Sequence, residues 1–246
     1  MSGAQLKQTA FSFSAKKDMA KEDFMVSECN KTAFMMIESW PNWNSFGLII
    51  YGPKGCGKTH LAHIFRDKLC SETQKPLNIP FYDCKQITMK NLERICNFSD
   101  AIIIENLQKN VDQEALFHLF NHFQEKGKYM LLTAEITPTR ISFSLKDLQS
   151  RLCLLPVAEI KEPDDTMLRA LIIKLFYDRQ LVISPEILEY IINNTERSFA
   201  FAEKLVQEID EISLAYKSTV NYKIVRLALE NLNNSSFHEP DLFINL

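Results

Sequence analysis

A chain of 246 residues that is 46% hydrophobic and 24% charged can bury one large core and a smaller satellite. Its 28 basic and 31 acidic residues leave a formal charge of -3 with no block of one sign, which argues against strong direct DNA binding; DNA is expected only indirectly, through a partner. No apolar run approaches the ~18 residues of a membrane span, the start lacks a signal-peptide pattern, and the six cysteines form no C-x-x-C pair or zinc-type grouping, so a soluble, cytoplasmic protein with reduced thiols and no membrane association is expected.

Residues 1–20 read as a flexible N-terminal arm. Within it, Gln8-Thr9-Ala10-Phe11-Ser12-Phe13 places a glutamine ahead of two aromatics. Such a segment can lie extended in the pockets of a partner, or Phe11 and Phe13 can pack back on the domain. Residues 21–161 read as an α/β unit. Ala33, Met36 and Ile37 suggest one helical face, ended by Trp40-Pro41, and the two tryptophans read as packing residues. The run Phe46-Gly47-Leu48-Ile49-Ile50-Tyr51 is of buried-strand type, while Leu61, Ile64, Phe65 and Leu69 recur at helical spacing.

Between strand and helix stands Gly52-Pro53-Lys54-Gly55-Cys56-Gly57-Lys58-Thr59, which fits G-x-x-x-x-G-K-[ST] at every fixed position. Glycines let the backbone curl with its N–H groups inward, Lys58 supplies a point charge for the outer phosphates, and the Thr59 hydroxyl can ligate Mg²⁺. A helix N-terminus then points its dipole at the anion. The pattern alone does not choose among ATPases, GTPases, kinases and binding-only proteins.

Leu77-Asn78-Ile79-Pro80-Phe81-Tyr82 is a candidate edge strand because of its proline. Asp100-Ala101-Ile102-Ile103-Ile104-Glu105-Asn106 reads as a buried strand ending in a carboxylate; Glu105 there either steadies hydrated Mg²⁺ or caps the strand. Leu116, Leu119, Phe120 and Phe123 form a helical stripe, and His118 and His122 on that helix lack a third ligand. Tyr129-Met130-Leu131-Leu132-Thr133-Ala134-Glu135 is a third such strand, and Leu152-Cys153-Leu154-Leu155-Pro156-Val157 a fourth, shorter one. Strands alternating with helices imply a parallel sheet of the α/β class with its ligand at the strand carboxyl ends.

Residues 162–234 carry helical patterns alone and read as a small helical lid domain. Asp164 or Asp165, Ser184-Pro185, Ser198 and Thr219 stand at the expected helix starts. Residues 235–246 form a C-terminal tail.

A phosphate loop followed by a helical lid is the plan of AAA+ proteins, and several motifs resemble those of the DnaA family in particular. Gly57-Lys58-Thr59-His60-Leu61 resembles its phosphate loop. Phe24-Met25-Val26 with Asn30 resembles the box beside its adenine, Leu132-Thr133-Ala134-Glu135 its sensor 1 strand, and Asp147-Leu148-Gln149-Ser150-Arg151-Leu152 the motif carrying its arginine finger. The resemblance covers residues from about 20 to 232. It implies a P-loop AAA+ domain with a lid, ADP or ATP with Mg²⁺ as cofactor, and Arg197 as a candidate sensor 2 residue just ahead of the third lid helix, with Ala200 at the turn that could also match.

Within the family the chain is most similar to the Hda-type regulators of replication initiation, DnaA homologues without the DNA-binding domain. The chain ends after the lid, Gln8, Phe11 and Phe13 resemble a sliding-clamp-binding peptide with Gln5-Leu6 as an alternative frame, and the acidic strand ends Glu105-Asn106 instead of in two carboxylates. An amide has no useful basicity for taking a proton from water, so self-hydrolysis is expected to be weak or absent and nucleotide to act as a conformational ligand. The resemblance implies DnaA and the sliding clamp as partners, Arg151 entering a DnaA site in trans, and leaves a homodimer open. Two other readings predict different behaviour. A self-sufficient ATPase of helicase-loader type would turn over unaided, and a P-loop small-molecule kinase would need an acceptor pocket and closely spaced lid arginines.

Overall fold

The computed structural model describes residue 19, residues 21–73 and residues 76–236. Five strands, β1 (Gly47–Tyr51), β2 (Phe81–Asp83), β3 (Ala101–Leu107), β4 (Tyr129–Ala134) and β5 (Val157–Glu159), form one parallel sheet in the order β2-β3-β4-β1-β5. The three inner strands, β1, β3 and β4, are apolar on both sides because both faces are covered. Leu48, Ile50, Ile103 and Leu131 face α1 (Lys31–Glu38) and α2 (Lys58–Glu72). Ile49, Ile102, Ile104, Met130 and Leu132 face α3 (Leu92–Phe98), α4 (Gln113–Glu125) and α5 (Lys146–Leu154). The tryptophans are packing residues: Trp43 stacks on Phe65 with centroids 5.0 Å apart, and Trp40 meets Tyr129 edge-on at 5.4 Å.

The expected edge strand is shorter than its apolar run, beginning at Phe81 after the proline, and it does lie at the sheet edge. The run from Leu152 to Val157 is corrected more deeply. Leu148 and Leu152, one helical turn apart, are both fully buried, which makes residues 146–154 a helix and leaves Leu154 82% exposed. Leu155, extended ahead of Pro156, breaks that helix, and the strand starts only at Val157. The short helix α3 has no counterpart among the elements expected from the sequence.

Four further helices, α6 (Asp165–Asp178), α7 (Pro185–Asn194), α8 (Phe199–Tyr216) and α9 (Tyr222–Ser236), surround a separate core that includes Leu168, Ile172, Phe176, Ile191, Leu205, Val206, Ile209 and Val225. All four start at capping side chains: Asp164 accepts from the Met167 N–H, Ser184 from Ile187, Ser198 from Phe201 and Asn221, two residues past the expected Thr219, from Ile224. Two residues at the helix starts, Met167 and Phe199, are buried in the core of the α/β unit instead. Among the described residues no helix is long and apolar enough to cross a membrane.

Candidate functional site

The phosphate-loop motif lies between the carboxyl end of β1 and the first turn of α2. Gly55 (φ 76°) and Gly57 (φ 94°) hold left-handed conformations, and Gly57 is the N-cap of α2. Gly52 is required for a different reason, since a Cβ there would come within 2.4 Å of the Ile160 carbonyl oxygen. The first turn of α2 contains no acidic residue, so nothing in it offsets the positive end of the helix. Lys58 Nζ donates to the carbonyls of Gly52 and Pro53, both at 2.7 Å, which curls the loop around the ammonium group. Cys56 is buried beneath it; burial pushes its thiol up, outweighing the nearby Lys58 charge, and keeps it neutral.

Three strand ends converge on this loop. Thr59 Oγ1 donates to Glu105 Oε1 at 2.5 Å, joining the start of α2 to β3, and Lys54 pairs at 3.7 Å with Glu135, the residue after β4. A hydroxyl beside a carboxylate suits a hard cation. No group of three or more His, Cys, Asp or Glu among the described residues could hold a metal alone. The pair therefore fits an ion such as Mg²⁺ that keeps several waters and takes further oxygens from a phosphate.

On one flank, the Phe24 ring stacks on Phe34 at 5.7 Å, meets His60 edge-on at 5.1 Å, and lies 3.1 Å from where a Cβ on Gly57 would stand. Buried Asn30 pins the chain beside it, donating to the Met25 carbonyl at 2.8 Å and accepting from the Ser27 N–H at 2.9 Å. Met25 and Val26 face solvent. On the other flank, the start of α8 sits over the loop: a Cβ on Gly55 would lie 3.0 Å from the Ala200 nitrogen and 3.3 Å from Phe199 Cβ. Arg197 pairs with Asp165 at 2.9 Å, holding the starts of α6 and α8 together.

Arg151 stands elsewhere. Its helix, α5, covers the sheet face opposite α2; its guanidinium donates to Gln124 Oε1 at 3.1 Å and lies 5.6 Å from the Phe117 ring centre. Gln149 braces the segment ahead of that helix, donating to the Pro138 carbonyl and accepting from the Phe143 N–H. Gln8, Phe11 and Phe13 lie outside the described residues.

Asn106 is the residue whose surroundings sequence reasoning missed. Ile104 pairs with Leu132 and Leu107 with Ala134, so Glu105 and Asn106 together oppose Thr133: a bulge. Asn106 takes φ 60°, its N–H donates to Thr133 Oγ1 at 3.3 Å, and its Nδ2 donates to Asp83 Oδ2 at 2.7 Å across the β2–β3 edge. An asparagine after an apolar strand is a signal for a left-handed residue; nothing local names Asp83 as its partner.

Comparison with known proteins places these features in a family context. The bacterial DnaA ATPase domain model matches residues 15–154, more than half of the chain. The chromosomal replication initiator protein DnaA of Flavobacterium psychrophilum is 27% identical over 226 residues, 85% of this chain and 46% of the initiator. The chain spans about half the length of the curated relatives it matches. Domain III of the Thermotoga maritima replication initiation protein DnaA superposes with a TM-score of 0.77 at 21% identity, covering 91% of this chain and 98% of that one. A replication initiator DnaA bound to AMPPCP and single-stranded DNA gives a TM-score of 0.61 at 20% identity, covering 85% and 79%. At such identities the structural likeness is one of fold: a P-loop AAA+ unit.

Proposed function

Because the chain belongs to the bacterial DnaA ATPase-domain family, we propose that it is an Hda-type, nucleotide-bound regulator of chromosomal replication initiation, which lends Arg151 to ATP held by DnaA. The observation that carries this reading is the pairing of a complete phosphate loop, with Thr59 against Glu105, and an amide at position 106. Such a site grips a nucleotide and consumes it slowly.

Residues 52–59 would hold the phosphates of ADP or ATP, with Lys58 released from its carbonyls to meet them, and Thr59 and Glu105 would hold Mg²⁺. When bound, the nucleotide and its ion supply the charge that sets the lid over the loop. Phe24, Val26 and His60 stand on the flank where the adenine would lie, and Lys54 and Glu135 close the strand-end side. A DnaA relative whose structure contains AMPPCP supports an adenine nucleotide as ligand.

Arg151 lies behind the sheet from its own loop, a placement that suits service to another molecule's phosphates. An arginine supplied in trans raises phosphoryl-transfer rates by about 10³ to 10⁵ through charge stabilisation. Gln8, Phe11 and Phe13 would hold the regulator on the DNA sliding clamp. DNA is then reached only through clamp and initiator. The decisive experiment is Arg151→Ala in a DnaA-ATP hydrolysis assay with clamp present. We expect nucleotide and clamp binding to persist and stimulation to fall by at least about a hundredfold; full stimulation by the variant would remove the finger assignment.

A further inference from the structure

The bond between Asn106 and Asp83 concerns the same nucleotide site and rests on the reading of that site as slow to hydrolyse. Asp83 ends β2 in register with Glu105. One of its carboxylate oxygens takes the Asn106 amide at 2.7 Å and the other the Lys85 N–H at 2.9 Å. A carboxylate only accepts, so it fixes which end of the Asn106 amide faces it. The bulge and the left-handed backbone turn residue 106 out of strand alternation and toward that edge.

The sheet order then gives the arrangement a direction. The phosphate loop follows β1, and β2 is the strand at the far edge, with β3 and β4 between them. A group on β2 stands one strand spacing, about 4.8 Å, farther from the loop than its neighbour on β3. We infer that Asn106 and Asp83 are an exchanged pair: the carboxylate able to polarise an attacking water is present, but it is clamped one strand too far from the phosphates by the amide at the position it would need. Silence of the site then has two parts, the lack of basicity at 106 and the anion that would oppose a carboxylate placed there.

This predicts that restoring acid at 106 alone is not enough. Asn106→Asp sets two acceptor-only carboxylates against each other, so the bond across the β2–β3 edge is lost and like charge drives the pair apart. The double exchange Asp83→Asn with Asn106→Asp keeps the amide–carboxylate bond, changes no side-chain shape, and moves the carboxylate one strand inward. There it takes a proton from water as the water oxygen bonds to the γ-phosphorus of ATP. The bond from that phosphorus to the β–γ bridging oxygen breaks, with its electron pair leaving on ADP.

The test measures kcat and KM for ATP in the wild type, Asn106→Asp and the double exchange, together with thermal unfolding and binding of a fluorescent ATP analogue. Turnover by the double exchange is expected to exceed that of both other proteins by at least about tenfold, within the range for a general base. The gain of the double exchange over Asn106→Asp should lie in kcat, with KM for ATP unchanged. A purely structural role for Asp83 would restore the unfolding temperature in the double exchange without raising its kcat above that of Asn106→Asp. The double exchange should also unfold at the wild-type temperature and Asn106→Asp below it. Equal turnover in the two variants, including none in either, overturns the exchanged pair while analogue binding and slow wild-type turnover leave the underlying reading standing. Rapid turnover by the wild type, or its failure to bind the analogue, overturns that reading and this inference with it.

Discussion

At the scale of single residues, the loop glycines show how a motif becomes a geometric requirement. Gly57 combines a left-handed backbone with an aromatic ring 3.1 Å from the missing Cβ. Gly57→Ala therefore costs about 1–2 kcal/mol of backbone strain and displaces either the loop or Phe24. The expected outcome is a lower unfolding temperature and an affinity for a fluorescent ATP analogue reduced by more than about tenfold, roughly 1.4 kcal/mol, read by titration. Cys84 makes a separate prediction. Burial pushes its thiol from the ordinary 9.0 up to about 12. Between those values the unfolded chain releases the proton while the folded one keeps it, so the contribution is complete below pH 9 and is lost as pH rises toward 12. Urea unfolding across that range should show a decline in wild-type stability that is shallower in Cys84→Ala. The motif residues were legible because their spacing is local. The partner of Asn106 was not, because 23 positions of chain separate it from Asp83.

At the scale of elements, the helices with capping side chains and the strands with covered faces were the legible ones. The stretch from Leu152 to Val157 misled because four of its six residues are apolar or sulfur-bearing in an unbroken run. Period could not be read from so short a segment; burial of Leu148 with Leu152 decides for a helix. The starts of α6 and α8 join the two cores. Phe199, the first residue of α8, is buried against the α/β unit, and its neighbour Ala200 touches the phosphate loop. Phe199→Ala should lower stability by about 3–5 kcal/mol in a urea titration. A loss below about 1 kcal/mol would mean that the site collapses around the smaller side chain and that Phe199 is no anchor.

At the scale of the whole molecule, the sheet separates two kinds of chemistry. The phosphate loop, Thr59, Glu105 and Glu135 gather at the carboxyl ends of β1, β3 and β4, while Arg151 rides on the helices of the opposite face. A loop proposed to hold phosphate and a guanidinium carried on a helix of the opposite sheet face are what the proposed action on another molecule needs. The four-helix unit bears on the same loop through α8, and Lys174 of α6 reaches back to Asp23 at 3.5 Å. Helical and strand periodicity, caps and the glycine-lysine-threonine spacing follow from neighbours along the chain, and these determined the α/β class, the loop and the helical satellite before any fold was known. Which carboxylate faces Asn106, which helix start covers Gly55, and on which side of the sheet Arg151 lies depend on contacts between distant segments. Only the packed structure decides those, because strand order and burial are set by all the apolar faces at once.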